Sequence, residues 1–249
     1  MADWNDNRTR PGLGTSQSFT GASVPRTGEV FDAGLRRHML SIYNYMTSGV
    51  LLSGVIALLF ARSGLAVSVM GSALGFVIML APLAIVFAMS FGANRFSTGT
   101  LQALFWGFAT LMGMSLSTIF LVYTGSSIAA TFFATAGAFA GLSLFGYTTK
   151  KNLSAMGTFL IMGVVGLIIA MVVNMFLKST GLDLAISFLG VLIFAGLTAW
   201  DTQRLKTQYA QLRGTEFAGK AIVLGALSLY LDFINMFMFL LRFMGANRN

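Results

Sequence analysis

The sequence predicts an all-α membrane protein of seven transmembrane helices. Apolar residues make up 56% of its 249 positions and charged residues only 10%, against roughly 25% charged in a soluble domain. The apolar residues gather in blocks close to the ~20 needed to cross a bilayer as a helix. The few charges lie at the ends of those blocks, which leaves too little polarity to coat a soluble surface of this size.

Taken in order, residues 1–34 are rich in Gly, Ser, Thr, Asn and Arg, with Pro11 and Pro25, and are expected to form a disordered, exposed arm. The seven-helix domain is expected over 35–249. Glu29 to Leu40 mixes Val30, Phe31, Leu35 and Met39 with Arg36, Arg37 and His38, the pattern of a short helix lying in the membrane interface. Apolar segments follow at 41–61, 73–94, 101–123, 127–148, 154–177, 182–202 and 221–243. Pro82 predicts a kink in the second. Gly137-x-x-x-Gly141 in the fourth predicts close helix packing. The start of the chain is polar and lacks the apolar core of a cleavable signal, so the first span is expected to direct insertion.

Basic residues set the orientation. Twelve of the sixteen fall on the side holding the N-terminal arm and the loops after segments two, four and six; Arg62, Lys178, Arg242 and Arg248 fall on the other. The N-terminus is therefore expected in the cytoplasm and the C-terminus outside, unless the last segment is re-entrant. The net charge of +8 reads as topology and lipid contact, with Arg36 and Arg37 meeting anionic lipid, and no nucleic-acid partner is expected.

Several chemistries lack their residues. There is no cysteine and one histidine, so a zinc site has no ligand set. No lysine lies deep in segment seven to carry a Schiff base, and the histidine, His38, lies before segment one beside Arg36 and Arg37, where it reads as interfacial rather than as the base of a serine protease. No enzyme activity and no cofactor are expected.

Of the eight acidic residues, only Asp201 and Asp232 fall at membrane depth. A carboxylate at the centre of a spanning helix costs about 2.5–3.5 kcal/mol on insertion scales, so it needs a partner, water or a proton. Ser228, Asp232, Asn235 and Arg242 recur at helical spacing and predict a polar stripe facing the bundle interior; Thr198 and Asp201 lie on a comparable face of segment six. The two segments are consecutive and antiparallel, joined by an expected loop around Arg204 to Lys220, so both acids come to similar depth. Such a pair can share protons in coupled steps, bind a hard cation such as Ca2+ through oxygen, or hold an arginine. The plainer reading is packing: Asp232 bonds a neighbouring helix and Asp201 sits among wet headgroups.

Gly225-Ala-Leu-Ser-Leu-Tyr-Leu-Asp-Phe-Ile-Asn235, followed by Leu240-Leu-Arg-Phe243, resembles the hallmark of the Bax inhibitor family of membrane proteins. Ala199-Trp-Asp-Thr-Gln-Arg204 resembles its second block. Ser90-Phe-Gly-Ala-Asn-Arg95, Gln102-Ala-Leu-Phe-Trp106 and Gly146 to Ser154 are similar to bacterial members. The resemblance runs from about residue 29 to the end. It implies seven helices with the last near the bundle centre, in a bacterial inner membrane. It further implies a pH-sensitive calcium leak whose paired sensor is Asp201 and Asp232, with Arg95 as the latch to Asp201. Other relatives modulate an AAA membrane protease, so a non-transporting regulator with a membrane-protein partner is the alternative.

Overall fold

The computed structural model describes residues 27–246, leaving aside the side chains of 27–32 and 70. The described residues are helical with no strand: α1 (Thr27–Arg62), α2 (Leu65–Met70), α3 (Ala73–Gly92), α4 (Thr98–Leu116), α5 (Ile119–Val122), α6 (Gly125–Thr148), α7 (Ser154–Leu177), α8 (Thr180–Leu212) and α9 (Phe217–Met244). Seven stretches are long and apolar enough to cross a membrane, α4 and α5 together making one of them. The all-α, seven-span expectation holds. Residues 1–26 of the expected arm lie outside the described residues.

The expected interfacial helix is not a separate piece. Glu29 to Leu40 runs unbroken into the first span as part of the 36-residue α1. Leu35, Met39, Ile42 and Met46 are all buried, a single stripe at helical spacing that continues across the expected boundary. No residue between them breaks the helix. Pro82 likewise sits inside α3 without ending it. The third span does break, between Leu116 and Ile119. There Ser117 Oγ donates to the Met114 carbonyl (2.6 Å) and Thr118 Oγ1 to the Ser115 carbonyl (3.2 Å), side-chain bonds that compete with the helical ladder.

The largest departure is in α8, which was expected to end at 202 and continues to Leu212. Leu205, Lys206, Gln208, Ala210, Gln211 and Leu212 are good helix formers. The helix stops where Gly214 adopts a left-handed φ of 77°, the usual C-terminal device. Residues 213–216 are all that separates α8 from α9.

Helix α9 packs against α1, α4, α6 and α8, whereas α3 lies outside on α4 and α7 outside on α8. Burial follows this arrangement: 61% of the spanning window of α9 is buried, against 11% for α7. The last helix is thus the centre of the bundle, as expected. Ser53 on α1 fastens the centre. Its hydroxyl lies 2.6 Å from the Ala109 carbonyl and 2.7 Å from the Tyr230 hydroxyl. A serine has one proton to give, so with Ser53 donating to Ala109, Tyr230 donates to Ser53. The Tyr230 ring meets Phe105 and Phe108 edge-on.

Close helix approach on α6 occurs at Gly146 rather than at Gly137-x-x-x-Gly141. A Cβ on Gly146 would collide with the Ala199 backbone carbonyl, while Cβ atoms on Gly137 and Gly141 would meet nothing within 4 Å. Gly146→Leu is therefore expected to lower the thermal unfolding temperature in detergent, by at least the roughly 1–3 kcal/mol of an overpacked core. Gly137→Leu is expected not to lower it.

Candidate functional site

Asp201 on α8 and Asp232 on α9 are 4% and 5% exposed. The structure brings them together: the two carboxyl groups face one another within reach of a hydrogen bond. Asp201 also accepts a hydrogen bond from Ser228 Oγ, and Arg204 Nη2 stands 2.9 Å from Asp201 Oδ1. The same Nη2 donates to Ser228 Oγ at 3.1 Å. Arg204, one turn beyond Asp201 on the extended α8, lies with its guanidinium 4.6 Å from the centre of the Trp200 ring.

A carboxylate can only accept, so a hydrogen bond between two carboxyl groups needs a proton on one of them. Asp201 already faces a guanidinium and receives the Ser228 hydrogen. That makes Asp201 the acceptor and Asp232 the donor. One shared proton and one guanidinium then leave the buried cluster neutral. Asp201 Oδ1, Asp232 Oδ2 and Arg204 Nε are buried with no protein hydrogen-bond partner, so the Arg204–Asp201 contact is an ion pair rather than an aligned hydrogen bond.

The neighbouring residues hold this geometry from every side. The Gln203 amide donates to the Lys151 carbonyl (2.7 Å) and accepts from Leu153 N–H (2.8 Å). The Tyr43 hydroxyl is 3.4 Å from Thr202 Oγ1. A cavity of 490 Å³ between α3, α8 and α9, edged by Ser90, Gln208 and Gln211, reaches Arg204 and Ser228. Neither aspartate lines it.

Not every expected site residue joins the pair. Arg95 is exposed in the turn after α3, where its N–H bonds the Gly92 carbonyl (2.9 Å). It makes no ion pair with Asp201, and Arg204 takes that place. Arg242 lies at the opposite end of α9 and pairs with Asp183 at 3.5 Å. Ten residues from Asp232, it is ~15 Å away along the helix. Thr198 and Asn235 donate to the carbonyls of Phe194 and Leu231 in their own helices rather than to the aspartates. Ser228 alone of the expected supporting face touches the pair. Between the two polar ends, the Phe194 and Phe239 rings stack at 5.9 Å and fill the α8–α9 seam.

As a resident Ca2+ site the cluster does not fit. Ca2+ takes 6–8 oxygen ligands, whereas here two carboxyls and one hydroxyl surround a guanidinium. Among the described residues no group of three or more acidic, histidine or cysteine side chains could hold a metal.

Gln203 and Arg204 stand in the Ala199-to-Arg204 block but received no site role, because segment six was ended at residue 202. The available signal was Asp-x-x-Arg, a helical spacing that puts opposite charges side by side.

Comparison with known proteins agrees with the two motif blocks that build this site. The family described as "Inhibitor of apoptosis-promoting Bax1" matches residues 35–249. The chain is 48% identical over 241 residues to an uncharacterized protein of Caulobacter vibrioides, covering 91% of this chain and 96% of that one. It is 46% identical over 222 residues to an uncharacterized protein of Rickettsia prowazekii, covering 89% and 94%. It is 43% identical over 230 residues to the inner membrane protein YbhL of Escherichia coli, covering 90% and 98%.

Removing the guanidinium leaves Asp201 buried without its cation. Arg204→Gln is expected to cost roughly 1–3 kcal/mol in thermal unfolding, toward the lower end because the Arg204 side chain is 36% exposed. Asp201→Asn in the same chain should recover most of that loss. Arg95→Gln should change stability by no more than about 0.5 kcal/mol.

Proposed function

The chain belongs to the Bax inhibitor family, and from that premise we propose that it is a proton-regulated calcium leak of the inner membrane, with the cytoplasm on the side of the α1 N-terminus. The observation that carries this reading is the buried Asp201–Asp232 carboxyl pair, held beside Arg204 at the α8–α9 seam. Polar groups lie at both ends of the seam, with Asp183 and Arg242 at the far one. The stacked Phe194 and Phe239 stand between them, and an apolar constriction of this kind excludes water and ions. The arrangement is a closed path with its acid pair at one end and a plug in the middle.

Protons would act on it by charge balance. With one proton shared, the cluster is neutral and α8 and α9 stay together. Loss of that proton sets two carboxylates against each other with one guanidinium between them. Like charges in contact repel strongly in low dielectric, which pushes the helices apart. The resulting net negative charge also attracts a divalent cation. Ca2+ is cargo in this scheme: it exchanges ligands with Arg204 as it passes and is not retained. The N-terminus inside and the C-terminus outside follow from the bias of basic residues. No catalytic step enters.

The test is Ca2+ flux into liposomes holding the purified chain, measured from pH 6 to pH 8. Flux of the wild type is expected to rise with pH. Asp232→Asn keeps a donor to Asp201 but cannot lose it, so its flux should stay low and flat with pH. Asp201→Asn should also lose the pH response. Phe239→Ala should raise flux at every pH by opening the constriction. Unchanged flux and pH response in both aspartate variants would sink the sensor. A chain that carries no ion at any pH would favour the non-transporting regulator, whose partner, a membrane protease for example, would then be sought by pull-down.

A further inference from the structure

A cavity of 720 Å³ opens sideways between α1 and α6, apart from the aspartate seam. Its floor is buried and apolar, formed by Met46, Val50, Phe139 and Phe233. Its rims, Leu40 and Leu51 on α1 and Leu144 on α6, are half or more exposed and belong to spans that face hydrocarbon. The groove follows α1 from Arg36 to Leu51 and α6 from Phe132 to Tyr147. Fifteen residues of helix on each wall is ~22 Å, more than the ~15 Å of one hydrocarbon leaflet.

Two polar features set one end of this groove apart from an ordinary greasy cleft. The Ser143 hydroxyl lies in the groove wall, 94% buried by its 6% exposure, and has no hydrogen-bond partner. Other hydroxyls of α6 bond their own helix, Thr135 to the Thr131 carbonyl and Thr148 to the Leu144 carbonyl. Ser143 does not, and its residue forms part of the groove wall, which leaves the hydroxyl without a partner beside the groove. It sits five residues before the end of α6, ~7.5 Å into the membrane. Cations flank the same end. Arg36 lines the mouth, and Lys206 reaches the Tyr147 carbonyl at 2.7 Å, Tyr147 itself lining the groove. No carboxylate lines the groove among the described residues.

We propose that this groove binds one anionic diacyl phospholipid. Arg36 meets the phosphate, the Ser143 hydroxyl donates to an ester carbonyl, and one acyl chain lies along Phe139 and Phe233. The order of these contacts matches the order of groups along such a lipid: charge at the interface, ester a few ångströms deeper, hydrocarbon beyond. The inner wall includes Tyr43, whose hydroxyl lies 3.4 Å from Thr202 Oγ1, the residue after Asp201. The lipid site stands on its own contacts and does not require that the chain conducts ions.

The test uses the full chain in nanodiscs of mixed phosphatidylglycerol and phosphatidylcholine. One or the other lipid carries a photoactivatable diazirine in its acyl chain, and cross-linked residues are mapped by mass spectrometry. The phosphatidylglycerol probe is expected to label the Phe139–Ser143 stretch about fivefold more than the phosphatidylcholine probe, the discrimination that one interfacial arginine supplies. Arg36→Gln should abolish that preference. Ala140→Phe, at an exposed groove position, should block labelling without lowering the unfolding temperature. Val165→Phe on the lipid face of α7 should leave both unchanged. If the two probes label α6 equally in the wild type, or label it no more than α7, the site does not exist.

Discussion

The bundle is organised by one constraint: two carboxyl groups placed in a bilayer must be neutralised by the protein itself. Water cannot solvate them there, and each buried charge left unpaired costs several kcal/mol. The solution concentrates in six consecutive residues of α8. Ala199 presents its carbonyl to Gly146 of α6, and Trp200 lies against Gly157 of α7. Asp201 meets Asp232 and Ser228 of α9, and Thr202 meets Tyr43 of α1. Gln203 ties the α6–α7 loop, and Arg204 closes the charge balance. Every helix that touches the site is fixed relative to the acid pair through this one stretch.

The glycines make sense in the same terms. Gly157 leaves room for the Trp200 ring, which supports the guanidinium of Arg204 from beneath. Gly146 lets α6 approach the α8 backbone. A bulkier residue at either place would displace α8 and with it Arg204. The centre of the bundle uses a comparable device, where Gly113 lets α4 approach α1 so closely that a Cβ would lie 2.7 Å from the Ser53 carbonyl. Close approach at these points is what allows α9 to be enclosed on four sides.

Much of this was legible in the sequence, and the exceptions have physical causes. The seven spans follow from apolar length, and the two acids stand out because so few charges lie at depth. That they meet follows from antiparallel neighbours of matching register. Arg204 was hidden because hydropathy marks where a helix leaves the membrane, not where it ends; α8 continues as a polar helix to Leu212. Placing the expected loop at Arg204 cut the Asp-x-x-Arg pair in two, and the family resemblance supplied Arg95 as the cation in its place. Arg242 shares a helical face with Asp232, but a shared face does not mean shared depth, and it pairs with Asp183 at the other end. The Gly-x-x-x-Gly spacing on α6 did not disclose which side of the helix packs, whereas the single Gly146 does pack.

The charge arithmetic of the cluster also bears on why the arginine is where it is. A guanidinium alone could neutralise one carboxylate, and a second acid would then be surplus to packing. With Asp232 present, neutrality needs one proton more, and that proton sits in the hydrogen bond that joins α8 to α9. An arginine arriving from a distant loop would let the pair separate while its charge stayed balanced. Arg204 is on the same helix as Asp201, one turn away, so it travels with Asp201 and cannot substitute for the bond to Asp232. The carboxyl pair crosses the seam beside two further bonds, Ser228 Oγ to Asp201 and Arg204 Nη2 to Ser228 Oγ, so α8 and α9 are joined at this depth by one compact polar cluster.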